Sequence, residues 1–221
     1  TGTVSKTYDG NNTATLTASN YILTGVVGSD DVSVSNTSGT YNNALVATGK
    51  AVTVSAPLSV TGVDAGNYTI SGSATGNVGT ITAKGLTASL TGTVSKAYDG
   101  TTSATLTTAN YSLTGVVGSE VVTVTNTSGA YNNKNVGIGK TVTVSAPLTL
   151  GGADASNYSI SGSATGTVGT ITGISLSVTG LTGVNKVYDG NTTASATGTA
   201  ALSGVLSGDV VSLTEIGRAH V

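Results

Sequence analysis

Three acids of this chain stand where a hard cation could be gathered: Asp30 and Asp31 in the string Gly28-Ser29-Asp30-Asp31, and Asp64 further on. Calcium takes about six to eight oxygen ligands, which carboxylates and turn carbonyls supply. Aspartates in Gly- and Asn-rich turns also cap their own backbone, so turn chemistry is the competing role. Neither an EF-hand nor a calcium-binding nonapeptide repeat is present, so these three are calcium candidates and no metal is assigned. Other chemistry is sparse. The chain has one His, His220, and no Cys, which leaves a Ser–His–Asp triad without a usable base and excludes a thiolate nucleophile. A Ser–Lys dyad is formally open, but nothing singles out one serine or one lysine. Acids recur as Asp9 and Asp99, Asp30 and Glu120, Asp64 and Asp154. A glycosidase needs two carboxylates converging in one cleft, and duplicating such a pair along the chain points away from catalysis. No enzyme and no cofactor are expected. Lys6 or Lys50, beside a buried Asn and an acid, would suit an intramolecular isopeptide bond.

Those acids recur because the chain repeats itself. Lys6-Thr7-Tyr8-Asp9-Gly10 returns as Lys96-Ala97-Tyr98-Asp99-Gly100 and again as Lys186-Val187-Tyr188-Asp189-Gly190, a period of 90 residues each time. About two thirds of the positions in residues 1–90 are identical in residues 91–180. A tandem array places function in a row of copies more than in one pocket. Asp-Gly within the landmark is a tight-turn signal, because Gly takes positive φ without strain.

Strands must position these residues. Val32-Ser33-Val34 and Val52-Thr53-Val54-Ser55 alternate, as do Val122-Thr123-Val124 and Val142-Thr143-Val144-Ser145. Such alternation of β-branched residues predicts strands with one buried face. Ala14–Thr17, Tyr68–Ser71, Val78–Thr82 and Leu86–Val94 are further candidates, separated by Gly, Asn and Asp clusters. Pro57 and Pro147 each mark an edge or a bend after a strand. The expected fold is all-β: small immunoglobulin-like β-sandwich modules in an elongated tandem array, with a mostly-β grasp-like module as the alternative.

Tyrosine is the only aromatic type, and it recurs as Tyr8, Tyr21, Tyr41, Tyr68, then Tyr98, Tyr111, Tyr131, Tyr158. It could form platforms for sugars. The favoured expectation is that Tyr supplies the large core residues, each hydroxyl finding a partner. Asp64-Ala65-Gly66-Asn67-Tyr68 and Asp154-Ala155-Ser156-Asn157-Tyr158 look like the tyrosine corner of immunoglobulin-like sandwiches, where the hydroxyl ties a strand start to nearby backbone.

Charged residues make up 8% of the chain and the net charge is −2. That lacks the basic footprint of a nucleic-acid binder and gives no pull toward anionic lipid. No apolar run is long enough to span a bilayer. The sequence does not open on Met, and the chain is expected to be an internal piece of a longer protein.

The Lys-x-Tyr-Asp-Gly landmark is followed by Leu-Thr-Gly-Val-Val-Gly-Ser (23–29 and 113–119), by Asn-Val-Gly-Ile-Gly-Lys (135–140) and by Ala-Asp-Ala-Ser-Asn-Tyr (153–158). This series resembles the YDG-domain repeats of bacterial surface proteins of the filamentous-haemagglutinin-like kind, over the chain up to Glu215. The first copy departs from the second at Ala44–Thr48, against Lys134–Ile138. The resemblance implies a stalk or spacer of a secreted, cell-surface adhesin. Its partners would be neighbouring repeats of the same chain, with a host or surface glycan or protein bound elsewhere in the parent. An adhesive carbohydrate- or receptor-binding module is the alternative; no nucleic acid and no membrane insertion are expected. Phased from the strand at Leu86, the modules run 1–84 without a first strand, 85–173 complete, and 174–215 truncated. Residues 216–221, Ile-Gly-Arg-Ala-His-Val, reverse-translate to the start of a common sequencing adapter and are expected to be adapter-derived.

Overall fold

The computed structural model of the chain describes residues 1–213; the tail 216–221 lies outside them. The described chain is all-β. Its helical elements are four 3-10 turns of three residues each. Strands β1 (Val4–Thr7), β2 (Thr13–Thr15), β3 (Ser33–Val34), β4 (Ser38–Tyr41), β5 (Ala47–Val54), β6 (Val60–Thr61) and β7 (Ala74–Thr82) come from the first copy. Five of them form one mixed sheet in the order β1-β7-β5-β4-β2. The β1–β7 pair is parallel and the other pairs are antiparallel. Strands β3 and β6 make a separate two-stranded pair.

The second copy repeats this with β8 (Lys84–Leu90), β9 (Val94–Ala97), β10 (Ser103–Thr105), β11 (Tyr111–Thr114), β12 (Thr123–Val124), β13 (Ser128–Tyr131), β14 (Gly137–Val144), β15 (Leu150–Gly151), β16 (Tyr158–Ile160) and β17 (Ala164–Thr172). Its large sheet runs β10-β13-β14-β17-β9, and a second sheet places β8 between β11 and β16. The third copy contributes two hairpin-like pairs: β18 (Ser177–Thr179) with β21 (Ala201–Ser203), and β19 (Thr182–Val184) with β20 (Ser195–Thr197).

The alternating pattern buries as expected. Val52 and Val54 point into the core while their neighbours are half-buried, and Val142 and Val144 do the same. Two tyrosines fill the space that Phe or Trp would otherwise take. Tyr41 is 2% exposed and Tyr131 is 3% exposed. Their rings lie close against Gly79 and Gly169; a Cβ at Gly79 would fall 2.8 Å from the Tyr41 ring. Only Gly fits at such an approach.

Two local expectations differ. Leu86–Val94 is not one strand: the chain breaks between β8 and β9, where Gly92 takes φ +70°. Tyr68–Ser71 forms no strand, although its second-copy counterpart is β16. The physical reason is the partner strand. β16 pairs in parallel with β8, and among the described residues no strand lies beside Tyr68–Ile70.

Candidate functional site

The most elaborate side-chain assembly joins the first copy to the second. Tyr8 leaves the end of β1, where its N–H bonds the Thr82 carbonyl at 2.8 Å. Its hydroxyl donates to Glu120 Oε1. The other oxygen of the same carboxylate, Oε2, accepts from the Tyr158 hydroxyl at 2.5 Å. The two rings meet edge to face with centroids 5.5 Å apart and planes at 78°, a favourable aromatic geometry. The Tyr158 hydroxyl in turn accepts from the Val117 N–H at 2.9 Å. Burial, reinforced by the Glu120 carboxylate, pushes both phenols above the ordinary tyrosine range.

Apolar packing adjoins the two tyrosines, while Glu120 itself is half-buried. Tyr8, Ile81, Leu86 and Tyr158 belong to one buried cluster that also contains Val4, Tyr41, Val52 and Val54. The core of the first copy therefore runs into the start of the second without an intervening solvent layer. Val116, Val117 and Val122 of the second copy pack on it. The Val46 N–H donates to Asn157 Oδ1 at 3.2 Å, and Asn157 is 3% exposed. Gly10, at φ +82°, turns the chain where a Cβ would fall 2.9 Å from Val117 Cγ1.

The next joint uses the same parts. The Tyr98 hydroxyl donates to Asp209 Oδ1 at 2.8 Å. Asp209 is the third-copy equivalent of Glu120: Leu113-Thr114-Gly115-Val116 matches Leu202-Ser203-Gly204-Val205 with an offset of 89, one residue short of the period. Lys134 adds an ion pair to Asp209 at 3.7 Å. Here the first copy has Ala44, so the loop where the copies diverge lies at the joint. In the first copy the matching acid, Asp30, accepts from Tyr68 at 2.7 Å. At the far end, Tyr188 is 93% exposed.

The other residues singled out from the sequence take structural places. Lys6, Lys96 and Lys186 clamp the turn that follows them, with ion pairs to Asp9, Asp99 and Asp189 at 2.6, 2.6 and 2.7 Å. The Lys96 ammonium and the Thr101 N–H hold the Asp99 carboxyl down to about 2. Gly10, Gly100 and Gly190 all have positive φ, as the Asp-Gly turn requires. Lys50 is buried, and its Nζ donates to Asn43 Oδ1 at 2.6 Å.

The calcium candidates Asp30, Asp31 and Asp64 each accept a hydrogen bond from a protein donor. Asp64 Oδ2 accepts from the Asp31 N–H at 2.9 Å, and Asp31 Oδ2 accepts from the Val63 N–H. Asp154 repeats the first bond with the Val121 N–H. Among the described residues no group of three or more acids, His or Cys is gathered for a metal.

The tyrosine corner needs correction. Tyr68 and Tyr158 do tie to backbone, but to Val27 and Val117, each 41 residues upstream, not to nearby chain. All eight tyrosines of the first two copies have hydroxyl partners; Tyr21, Tyr41, Tyr111 and Tyr131 use backbone carbonyls.

The YDG domain model matches residues 1–76, 82–167 and 172–219. Each matched segment carries one Lys-x-Tyr-Asp-Gly string. The chain belongs to the YDG-domain family. No curated protein and no solved structure matches it. The YDG landmark thus has two jobs at each joint: its Lys and Asp close a turn, and its Tyr reaches the acid of the following copy.

Proposed function

We propose that this YDG chain is a stalk or spacer segment of a secreted bacterial surface adhesin of the filamentous-haemagglutinin-like kind. Its role is mechanical. Units 1–84, 85–173 and 174–215 each add length, and the parent's ligand-binding region, for a host or surface glycan or protein, lies outside the spacer. The observation that carries this reading is the Glu120 carboxylate held by Tyr8 of one copy and Tyr158 of the next. A shared, half-buried acid beside a continuous apolar core resists bending, whereas a flexible linker needs several polar residues between units. Only Ala83 separates β7 from β8. The tyrosine hydroxyls of the first two copies are engaged in the fold, which favours a spacer over a sugar-binding platform.

Small-angle scattering tests the reading. The chain should scatter as a stiff, extended particle, and Glu120→Ala should broaden its distance distribution. A wild-type profile typical of flexibly linked beads would refute the stalk. Binding of the isolated chain on a glycan array would replace it with the adhesive module.

A further inference from the structure

We infer that Tyr8 and Tyr158 form a cross-linking site: a one-electron oxidant of phenols joins their rings as a dityrosine and locks the first copy covalently to the second. The inference does not depend on the stalk reading.

The geometry brings the reacting parts together. Among the described residues these are the two aromatic rings that meet, edge to face at 78° with centroids 5.5 Å apart. The edge of one ring therefore rests against the face of the other. Both hydroxyls donate to one carboxylate, Tyr8 to Glu120 Oε1 and Tyr158 to Oε2. That draws the hydroxyl ends together, and the ortho carbons beside each hydroxyl are where a phenoxyl radical couples. The rings are also held in place. The Val117 N–H fixes the Tyr158 hydroxyl at 2.9 Å, and both rings share a buried cluster with Ile81 and Leu86. So sheltered, each ring meets the other and not a tyrosine of another molecule.

Glu120 supplies the base. Burial, reinforced by that carboxylate, holds both phenols above the ordinary tyrosine range, so each proton must leave with its electron. A phenol already bonded to a carboxylate passes its proton across that bond. Glu120 is half-buried, so it releases the first proton to water and is free to take the second. Tyr41 and Tyr131 are as deeply buried, but they donate to the backbone carbonyls of Val4 and Val94, which are not bases. The chain has no Cys, so a disulfide cannot serve the same end.

Each phenol gives one electron to the oxidant and its hydroxyl proton to Glu120. The two radicals then pair their electrons in a carbon–carbon bond between ortho carbons. The hydrogen on each of those carbons moves to the adjoining oxygen and restores the phenol. Two electrons and two protons leave in all, and two hydroxyls remain.

The test oxidises the whole chain, in dilute solution, with a ruthenium tris-bipyridyl photosensitiser and persulfate, which takes the two electrons and becomes sulfate. Trypsin then releases peptides 7–50 and 141–186, and Tyr158 is the one tyrosine of the latter. The expected product is these two peptides joined, lighter than their sum by two hydrogens, with fragmentation placing the bond between Tyr8 and Tyr158. Tyr8→Phe keeps the ring and should abolish that product. Glu120→Gln, read on protein that keeps the wild-type circular dichroism, should slow its formation by about tenfold or more. Tyr188→Phe should leave it unchanged, since Tyr188 lies exposed and away from the pair. Absence of the joined peptides from the oxidised wild-type chain, an equal yield when the chain is unfolded in urea, or an unchanged rate in Glu120→Gln would each overturn the inference.

Discussion

Replacing Glu120 by Ala removes the one acceptor that serves both Tyr8 and Tyr158. A hydrogen bond to a charged group contributes about 1.5–3 kcal/mol, so losing two sets an upper bound of about 3–6 kcal/mol. The side chains on either side are well sheltered: Tyr8 is 5% exposed and Tyr158 is 6% exposed. Neither hydroxyl can turn freely to bulk water. Glu120 itself is half-buried, so water can enter the space it vacates and rehydrate part of the assembly, at a small cost in immobilisation. Tyr158 also keeps its bond from the Val117 N–H. The expected loss is therefore about 2–4 kcal/mol. Urea unfolding followed by intrinsic tyrosine fluorescence reads this without a competing signal, since the chain has no Trp. A double-mutant cycle with Tyr8→Phe locates the loss. If the two groups act through one bond, the double variant should be less destabilised than the sum of the singles by about 1 kcal/mol or more. Because repeats couple through their interfaces, Glu120→Ala should also separate the unfolding of the first copy from that of the second. A loss below about 0.5 kcal/mol, the range of an ordinary surface change, would refute the reasoning, as would strict additivity.

Three further outcomes follow from the same geometry. Gly10→Ala and Gly100→Ala both force a side chain to positive φ, at φ +82° and +76°, for about 1–2 kcal/mol each; only Gly10 also meets Val117 at 2.9 Å, so its variant should be the less stable in urea, and equal losses would remove the packing role of that contact. Burial and then the Glu120 carboxylate raise the Tyr8 and Tyr158 phenols above the ordinary 10.0, so the unfolded chain ionises first, and the stability they confer is present below pH 10 and is lost as pH rises above it; spectrophotometric titration should show late-ionising phenols that Tyr8→Phe and Tyr158→Phe reduce, and a single titration at the ordinary value would contradict the joint. Since Asp64 and Asp31 accept backbone N–H groups, the melting midpoint should be the same in calcium and in chelator, whereas a rise of several degrees with calcium would restore those acids as ligands.

The parts of this structure that were legible in the sequence share one property: they are local. Val52-Thr53-Val54 declares its buried face by alternation, and Asp9-Gly10 declares its turn by residue type. The joint is not local. Tyr8 and Glu120 lie 112 residues apart, and no spacing rule links a tyrosine at a strand end to an acid in another copy's loop. A signal was nevertheless present inside the repeat. Asp30, Glu120 and Asp209 keep a carboxylate through an Asp-to-Glu exchange and a one-residue deletion, while the adjoining Asp31 becomes Val121. An acid that a metal site needed would be expected to persist with its neighbour; an acid that a tyrosine needs can persist alone. The same comparison explains why the pattern of Tyr68–Ser71 permits a strand although the segment forms none. Its sequence is nearly that of β16, and strand character there depends on β8 lying alongside. Pairing completes a strand that propensity only permits. Near-identical segments are thus ordered differently according to whether a strand lies alongside. In a repeat chain, the informative unit is the contact between copies, and residues that vary in concert across that contact, such as Ala44 against Lys134 with Glu120 against Asp209, are where one joint can be tuned independently of the next.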